Sequence, residues 1–305
     1  MKSISSYFTK GIVGAFFFLQ FFLVRGQDVE NSAFKIYSSL EQKEITLDDL
    51  VNGVSEVDVL FFGEEHNDSI AHSLQDELYQ ALLSKYGTVT LSLEMFETDC
   101  QVVLDEYMGG WISQGKLIKD GRAWNNYEND YSPMVMTAKD KGQTVIAANA
   151  PRRYVSMVSG KGVEVLENLP EASLTYLPSL PIYTADSAYY KRFAQAMGEV
   201  GHSMENNNYF YAQCVWDATM ANRIYTRWRK HKKEMIFHLN GRFHSDYQQG
   251  TVSQLRRLTK KVQIKNISCF PVLNIDNPDW KAYAGIGDFI ILSSVNSGDA
   301  AASTQ

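Results

Sequence analysis

Apolar and polar positions along this chain follow two alternating periods. Val57-Asp58-Val59-Leu60-Phe61-Phe62, ending at Gly63, is a short β-branched and aromatic run that predicts a buried strand. From Asn67 to Tyr86 the apolar residues take helical spacing, at Ile70, Leu74, Leu78 and Leu82. Asn67 or Asp68 can cap that helix, and Gly87 ends it. Thr88 to Leu93 predicts a second strand. Short helices follow over Gln101 to Met108, before Gly109-Gly110, and over Pro133 to Lys141, closed by Gly142. Further strands are predicted at Thr144 to Ala148, Met235 to Leu239, Val262 to Phe270 and Phe289 to Leu292. Strands alternating with helices predict an α/β fold: a mainly parallel sheet flanked by helices.

The rhythm breaks between Pro151 and Lys233. This stretch is helical in pattern and rich in Tyr, with Leu-Pro pairs at Leu169-Pro170, Leu177-Pro178 and Leu180-Pro181. One long helix is predicted from Asn208 to His231, with apolar residues at Tyr211, Val215, Ala218, Ala221, Tyr225 and Trp228. The expected organisation is an α/β core over 27–150 and 235–295, a helical insertion (a lid or subdomain) over 151–234, and a disordered tail over 296–305.

The first 26 residues read as a signal peptide. Lys2 and Lys10 precede the apolar run Ile12 to Val24, which is shorter than the roughly 20 residues a spanning helix needs. Val24-Arg25-Gly26 suits cleavage before Gln27. The first cysteine is Cys100, so a lipid anchor on a cysteine behind the signal is not expected. The expectation is an exported protein, periplasmic or secreted, with no transmembrane anchor after cleavage.

Composition narrows the picture. With 305 residues, 45% hydrophobic and 21% charged, the chain is not a wholly disordered one. Its formal charge is −6, and loss of Lys2, Lys10 and Arg25 with the signal makes that −9. Such acidity argues against nucleic-acid binding. The three cysteines cannot all pair, and each sits in an apolar pattern, so buried thiols are expected.

Four polar segments end predicted strands: Gly63-Glu64-Glu65-His66, Glu94-Met95-Phe96-Glu97, Asn149-Ala150-Pro151-Arg152-Arg153 and His238-Leu239-Asn240-Gly241-Arg242-Phe243-His244. In open α/β sheets ligands bind beyond the carboxyl ends of the strands, so parallel strands would bring these segments to one edge. Glu64, His66, Glu94, His238 and His244 offer imidazole and carboxylate ligands for a divalent transition metal. Alternatively, His66 oriented by Glu94, with Glu64, serves as a general base. Arg152 and Arg153 suit an anion through forked hydrogen bonds. His72 reads as structural or exposed, His231 as solvated, and Glu97 and Asp99 as complements to a helix dipole.

On these segments, together with Trp216-Asp217-Ala218-Thr219-Met220-Ala221, the chain resembles the ChaN-like family, the haem-binding branch of the Tiki superfamily, from Val57 to about Leu258. The resemblance implies an α/β core with a helical subdomain, export, and a role in haem and iron uptake. It implies haem as ligand, with Arg152 or Arg153 meeting a propionate and His202, Tyr189 and Tyr190 as residues of the pocket. A homodimer that shields the ligand is compatible with it. The wider superfamily includes Tiki-type metalloproteases and is similar to erythromycin esterases. Both use two Gly-x-x-His motifs, here Gly63 to His66 and Gly241 to His244. A metal-dependent hydrolase, peptidase or esterase, using these two motifs is therefore the alternative reading.

Overall fold

A computed structural model describes residues 33–198 and 206–294. The expected signal peptide, the tail and His202 lie outside the described residues. The described strands are β1 (Phe34–Ser38), β2 (Lys43–Ile45), β3 (Val59–Glu64), β4 (Val89–Glu97), β5 (Val145–Asn149), β6 (Met235–Gly241), β7 (Ile264–Val272) and β8 (Phe289–Ser294). They form one sheet in the order β2-β1-β8-β7-β3-β6-β4-β5. Every neighbouring pair from β8 to β5 is parallel. β1 joins β8, and β2 joins β1, in antiparallel pairs. The fold is thus α/β with a mainly parallel sheet.

The helices are α1 (Leu47–Gly53), α2 (Ser69–Tyr86), α3 (Gln101–Met108), α4 (Gln114–Asp120), α5 (Tyr127–Asp130), α6 (Ser132–Asp140), α7 (Arg152–Lys161), α8 (Glu171–Leu174), α9 (Ser187–Met197), α10 (Asn206–Lys230) and α11 (Gly250–Leu258). Asp68 caps α2, accepting the N–H groups of Ile70 (3.1 Å) and Ala71 (3.0 Å). Gly87 ends it at φ +77°, a left-handed conformation that favours glycine. The edge strands β1 and β2 and the helix α1 were not anticipated. In β1 only Ile36 and Ser38 are buried, too little contrast to show a period.

Alternation along the central strands divides the core between two faces. Leu60 and Phe62 of β3, Leu91 and Leu93 of β4, and Phe237 and Leu239 of β6 join α2 and α6 in one cluster. Val59, Phe61 and Ile236 join Ala221, Ile224 and Trp228 of α10 and Val252 and Leu255 of α11 on the other. Strands buried on both faces read as continuous apolar runs, which is why β3 was legible. A further cluster links α7, α9 and the first half of α10 through Tyr154, Val155, Tyr189, Phe193, Phe210 and Val215. The long helix α10 therefore serves both the helical stretch and the sheet. Cys100, Cys214 and Cys269 are free and buried.

Candidate functional site

Glu64 shares the phase of Leu60 and Phe62, so its side chain enters the α2 face at the end of β3. It is buried, and it accepts hydrogen bonds from the Tyr131 hydroxyl (2.5 Å) and from Gln75 Nε2. His66 Nδ1 lies 2.9 Å from Glu64 Oε1. His72 Nε2 lies 3.4 Å from Glu64 Oε2, and His72 Nδ1 is 3.4 Å from Asp130 Oδ1. Burial alone would raise the Glu64 carboxyl. The hydrogen bonds and charges of His66 and His72 outweigh it and hold the group down at about 2. Burial and the adjacent Glu64 charge drive Tyr131 up, so it remains a hydroxyl donor.

Glu94 takes the opposite face. Its Oε2 accepts the Gly241 N–H (2.7 Å), and its Oε1 lies 3.4 Å from His244 Nε2. On the other side of that ring, His244 Nδ1 is 2.8 Å from Asp217 Oδ1, on α10. Thr251 Oγ1 donates to the same Asp217 oxygen at 2.8 Å. Burial opposes a charge on His244, but Glu94 and Asp217 outweigh it and raise the imidazole to about 9. This ring is a cation at neutral pH, held between two carboxylates.

His66 joins the two faces at the sheet edge. Its side chain is 44% exposed. Its Nδ1 is occupied by Glu64, while Nε2 makes no hydrogen bond among the described residues. Trp124 meets the ring edge-on, with centroids 4.9 Å apart. Asn126 Nδ2 donates to the His66 carbonyl (3.1 Å). Burial lowers the His66 pKa, but the Glu64 hydrogen bond, the charge of Glu94 and that of Glu64 raise it overall.

The two Gly-x-x-His segments interlock here. Parallel pairing of β3 with β6 sets Glu64 opposite Gly241. A Cβ at Gly241 would come within 2.7 Å of His66 Nε2. A Cβ at Gly63 would come within 2.8 Å of Arg242 Cα and 2.9 Å of Ser245 Oγ. Each glycine leaves the space that the other segment fills.

Two clefts open beside His66. One, of about 410 Å³, is lined by Phe193, Met197, Gln213, Arg242, Phe243 and His244 together with His66. The other, of about 610 Å³, is lined by Met95, Arg122, Trp124, Asn126 and Arg152, again with His66. Arg152 is exposed and has no ion-pair partner among the described residues. Arg242 is held by Glu65 (2.6 Å) and Asp246 (2.8 Å).

The remaining sequence-derived residues fall elsewhere. His238 lies inside β6, fully buried, with Nδ1 2.9 Å from Ser92 Oγ and the Phe61 ring edge-on at 5.2 Å. Burial, reinforced by the His244 charge, pushes it down to about 3, so it is a neutral core imidazole. The metal set expected from Glu64, His66, Glu94, His238 and His244 is not assembled, because strand alternation sends its members to two faces and to the interior. Among the described residues no group of three or more His, Cys, Asp or Glu could hold a metal ion. Arg153 pairs with Asp99 and stacks over Tyr154, with 4.3 Å from guanidinium carbon to ring centroid. Glu97 and Asp99 bind Arg122, rather than simply complementing a helix end. Tyr189 is 1% exposed, in the core below the first cleft, with its hydroxyl accepting from Gln213 Nε2 (3.0 Å). Tyr190 packs on Phe210 and lines a separate depression.

Sequence reasoning missed His72, Gln75, Tyr131, Asp217 and Trp124 as site residues. His72 and Gln75 carried a signal: two polar residues one turn apart beside the apolar stripe of α2, at the end nearest the strand termini.

The family described as haem-binding uptake, Tiki superfamily, ChaN matches residues 50–255. The chain belongs to the ChaN family. Among solved structures this ChaN family member is similar to ChaN of Campylobacter jejuni, described with cofacial haem binding. The TM-score is 0.65 at 17% identity, covering 86% of this chain and 97% of that one, which is a likeness of fold. A mutant of the erythromycin esterase EreC in its open conformation matches with a TM-score of 0.44 at 10% identity, over 86% of this chain and 83% of its own. That second likeness is too low to bear on the site. No curated protein matches the sequence with significance.

Proposed function

We propose that this ChaN family member binds haem as cargo where the two clefts meet at His66, and that it acts in haem and iron acquisition as an exported protein. One observation carries the reading: a half-exposed imidazole, anchored through Nδ1 by a buried carboxylate and with Nε2 unbonded, stands between two partly aromatic clefts. Haem supplies an iron with axial positions and two propionates. An imidazole oriented by a carboxylate is a preorganised iron ligand. Phe193, Met197 and Phe243 on one side and Trp124 on the other provide apolar wall, and the unpaired Arg152 suits a propionate. The family supports the ligand class. Export is supported by the basic and apolar N-terminal sequence, and no described helix is long and apolar enough to cross a membrane.

Titration of the purified protein with haemin is expected to give a saturable Soret shift. His66→Ala should weaken binding by about tenfold or more. Arg152→Ala should weaken it only a few-fold, roughly the worth of an exposed ion pair. A titration indistinguishable from free haemin would overturn the proposal.

The Glu64–His66 pair also supports a second reading, since an imidazole held by a carboxylate is a general base. The hydrolase reading, with Glu64, His66 and Glu94 in catalytic roles, requires ester or peptide turnover that disappears in His66→Ala. Turnover without any haemin shift would favour it over the haem reading.

A further inference from the structure

Two basic segments meet at the end of the sheet remote from the clefts. The last turn of α10 and the link to β6 carry Arg227, Arg229, Lys230, Lys232 and Lys233. The last turn of α11 and the link to β7 carry Arg256, Arg257, Lys260 and Lys261. Trp228 and Ile224 pack with Leu255 and Val262, so the two helix ends are adjacent. β6 and β7 flank β3 and start level with it, since Val59 pairs with both Ile236 and Ile264. β6 reaches the site at its other end, about 20 Å away at the usual strand rise.

Arg229, Lys230, Lys232, Lys233, Arg257, Lys260 and Lys261 are exposed, and none has an ion-pair partner among the described residues. The acidic groups near them are few. Glu234 is taken by Arg227 and His231, Asp58 accepts the Gln263 N–H, and Glu56 lines a shallow groove with Lys232 and Lys233. The described residues hold 26 Lys and Arg against 30 Asp and Glu; with nine cations and three carboxylates placed here, 17 and 27 remain elsewhere among them. The molecule is charge-polarised: a basic end on an acidic remainder.

We infer that this basic end docks on an anionic phospholipid surface. Three of the seven lie over aromatic rings, Lys232 over Trp228 (3.7 Å), Arg257 over Tyr183 (3.3 Å) and Arg229 over Tyr225 (5.8 Å). Lys230, Lys233, Lys260 and Lys261 make no such contact among the described residues and are point charges suited to diffuse negative charge rather than to one shaped anion. Leu258, 42% exposed among them, adds an apolar contact for the headgroup layer. A planar anionic surface meets this end alone, with the acidic remainder turned away from it. A nucleic acid long enough to bend around the protein would also meet that remainder. Docking in this orientation keeps the clefts at the opposite edge open to solution.

The test is co-sedimentation of the full chain with vesicles of phosphatidylcholine, with or without phosphatidylglycerol. The comparison variant is Lys230→Gln, Lys233→Gln, Lys260→Gln, Lys261→Gln, which leaves the site untouched. Any contribution from the apolar run Ile12 to Val24 and its flanking Lys2, Lys10 and Arg25 is common to both proteins, so the difference between them reports the basic end alone. Partition is expected to rise about tenfold or more with phosphatidylglycerol, to fall back at high salt, and to lose most of that gain in the variant. An unchanged haemin titration and circular-dichroism melt in the variant would tie that loss to charge rather than to unfolding. Equal partition on neutral and anionic vesicles, or a variant that keeps the gain, would refute the inference. So would duplex DNA binding without any preference for anionic vesicles.

Discussion

One methyl group at either of two glycines should have very different consequences. At Gly63 the added Cβ meets backbone, Arg242 Cα at 2.8 Å, which cannot swing aside. Gly63→Ala is expected to cost about 1–3 kcal/mol of stability in urea unfolding, the usual range for overpacking a filled position. At Gly241 the Cβ meets the far end of the half-exposed His66 ring, which can swing. Gly241→Ala should therefore unfold within about 1 kcal/mol of the parent while haemin binding weakens several-fold. The reverse ranking would mean that the interlocking of the two segments is misread. At this scale the sequence pointed to Glu64, His66, Glu94 and His244, because charged groups at strand ends break an apolar pattern. It could not distinguish His238, whose imidazole lies three residues before the end of β6 yet sits inside the sheet. Nor could it assign Tyr131, in the turn between α5 and α6, or Asp217 of α10 to the site, since both reach it from segments distant in sequence.

The elements that frame the site depend on a few junctions, and Asp68 is the most heavily used. Its Oδ1 caps α2, while its Oδ2 accepts the Ser293 hydroxyl of β8. Asp68→Ala removes the cap, worth about 1 kcal/mol, and leaves Ser293 Oγ with only a long contact to the Phe270 carbonyl at 3.3 Å. A total loss of about 1–3 kcal/mol is expected, with most of it recovered in Asp68→Asn. An Asp68→Ala protein with the parent's urea midpoint would show that the cap contributes nothing. The strands and long helices were legible because burial on both faces, or one helical stripe, leaves a strong local pattern. The hairpin of β1 and β2 was not, because an edge pair of short strands needs little apolar surface to be held.

Across the whole molecule, the buried histidines set opposing pH dependences. His244, raised to about 9 from 6.5, contributes stability that is complete below pH 6.5 and lost as pH rises through about 9. His66 and His72, also raised, add to that alkaline arm. His238, lowered to about 3, contributes stability present above 6.5 and lost as pH falls toward 3. Glu64, lowered from 4.5 to about 2, adds a further loss as pH falls from 4.5 through about 2. Thermal unfolding midpoints should therefore peak near pH 6.5. His244→Gln should make the alkaline fall shallower, and His238→Asn should flatten the acid fall between 6.5 and 4.5 without altering the alkaline one. An alkaline arm unchanged in His244→Gln would remove His244 from this account. By itself the sequence determined the alternation of strands and helices, and with it the meeting of the polar segments at one edge of a parallel sheet. That much is local: burial and period are written residue by residue. The tertiary structure alone decided that β3 and β6 are neighbours, which sets Gly63-Glu64-Glu65-His66 against Gly241-Arg242-Phe243-His244. It also decided that Glu64 and Glu94 take opposite faces with His66 between them. Strand order and helix partners arise from contacts between segments far apart in the chain, and a one-dimensional pattern of apolar and polar residues carries no record of which segment lies beside which.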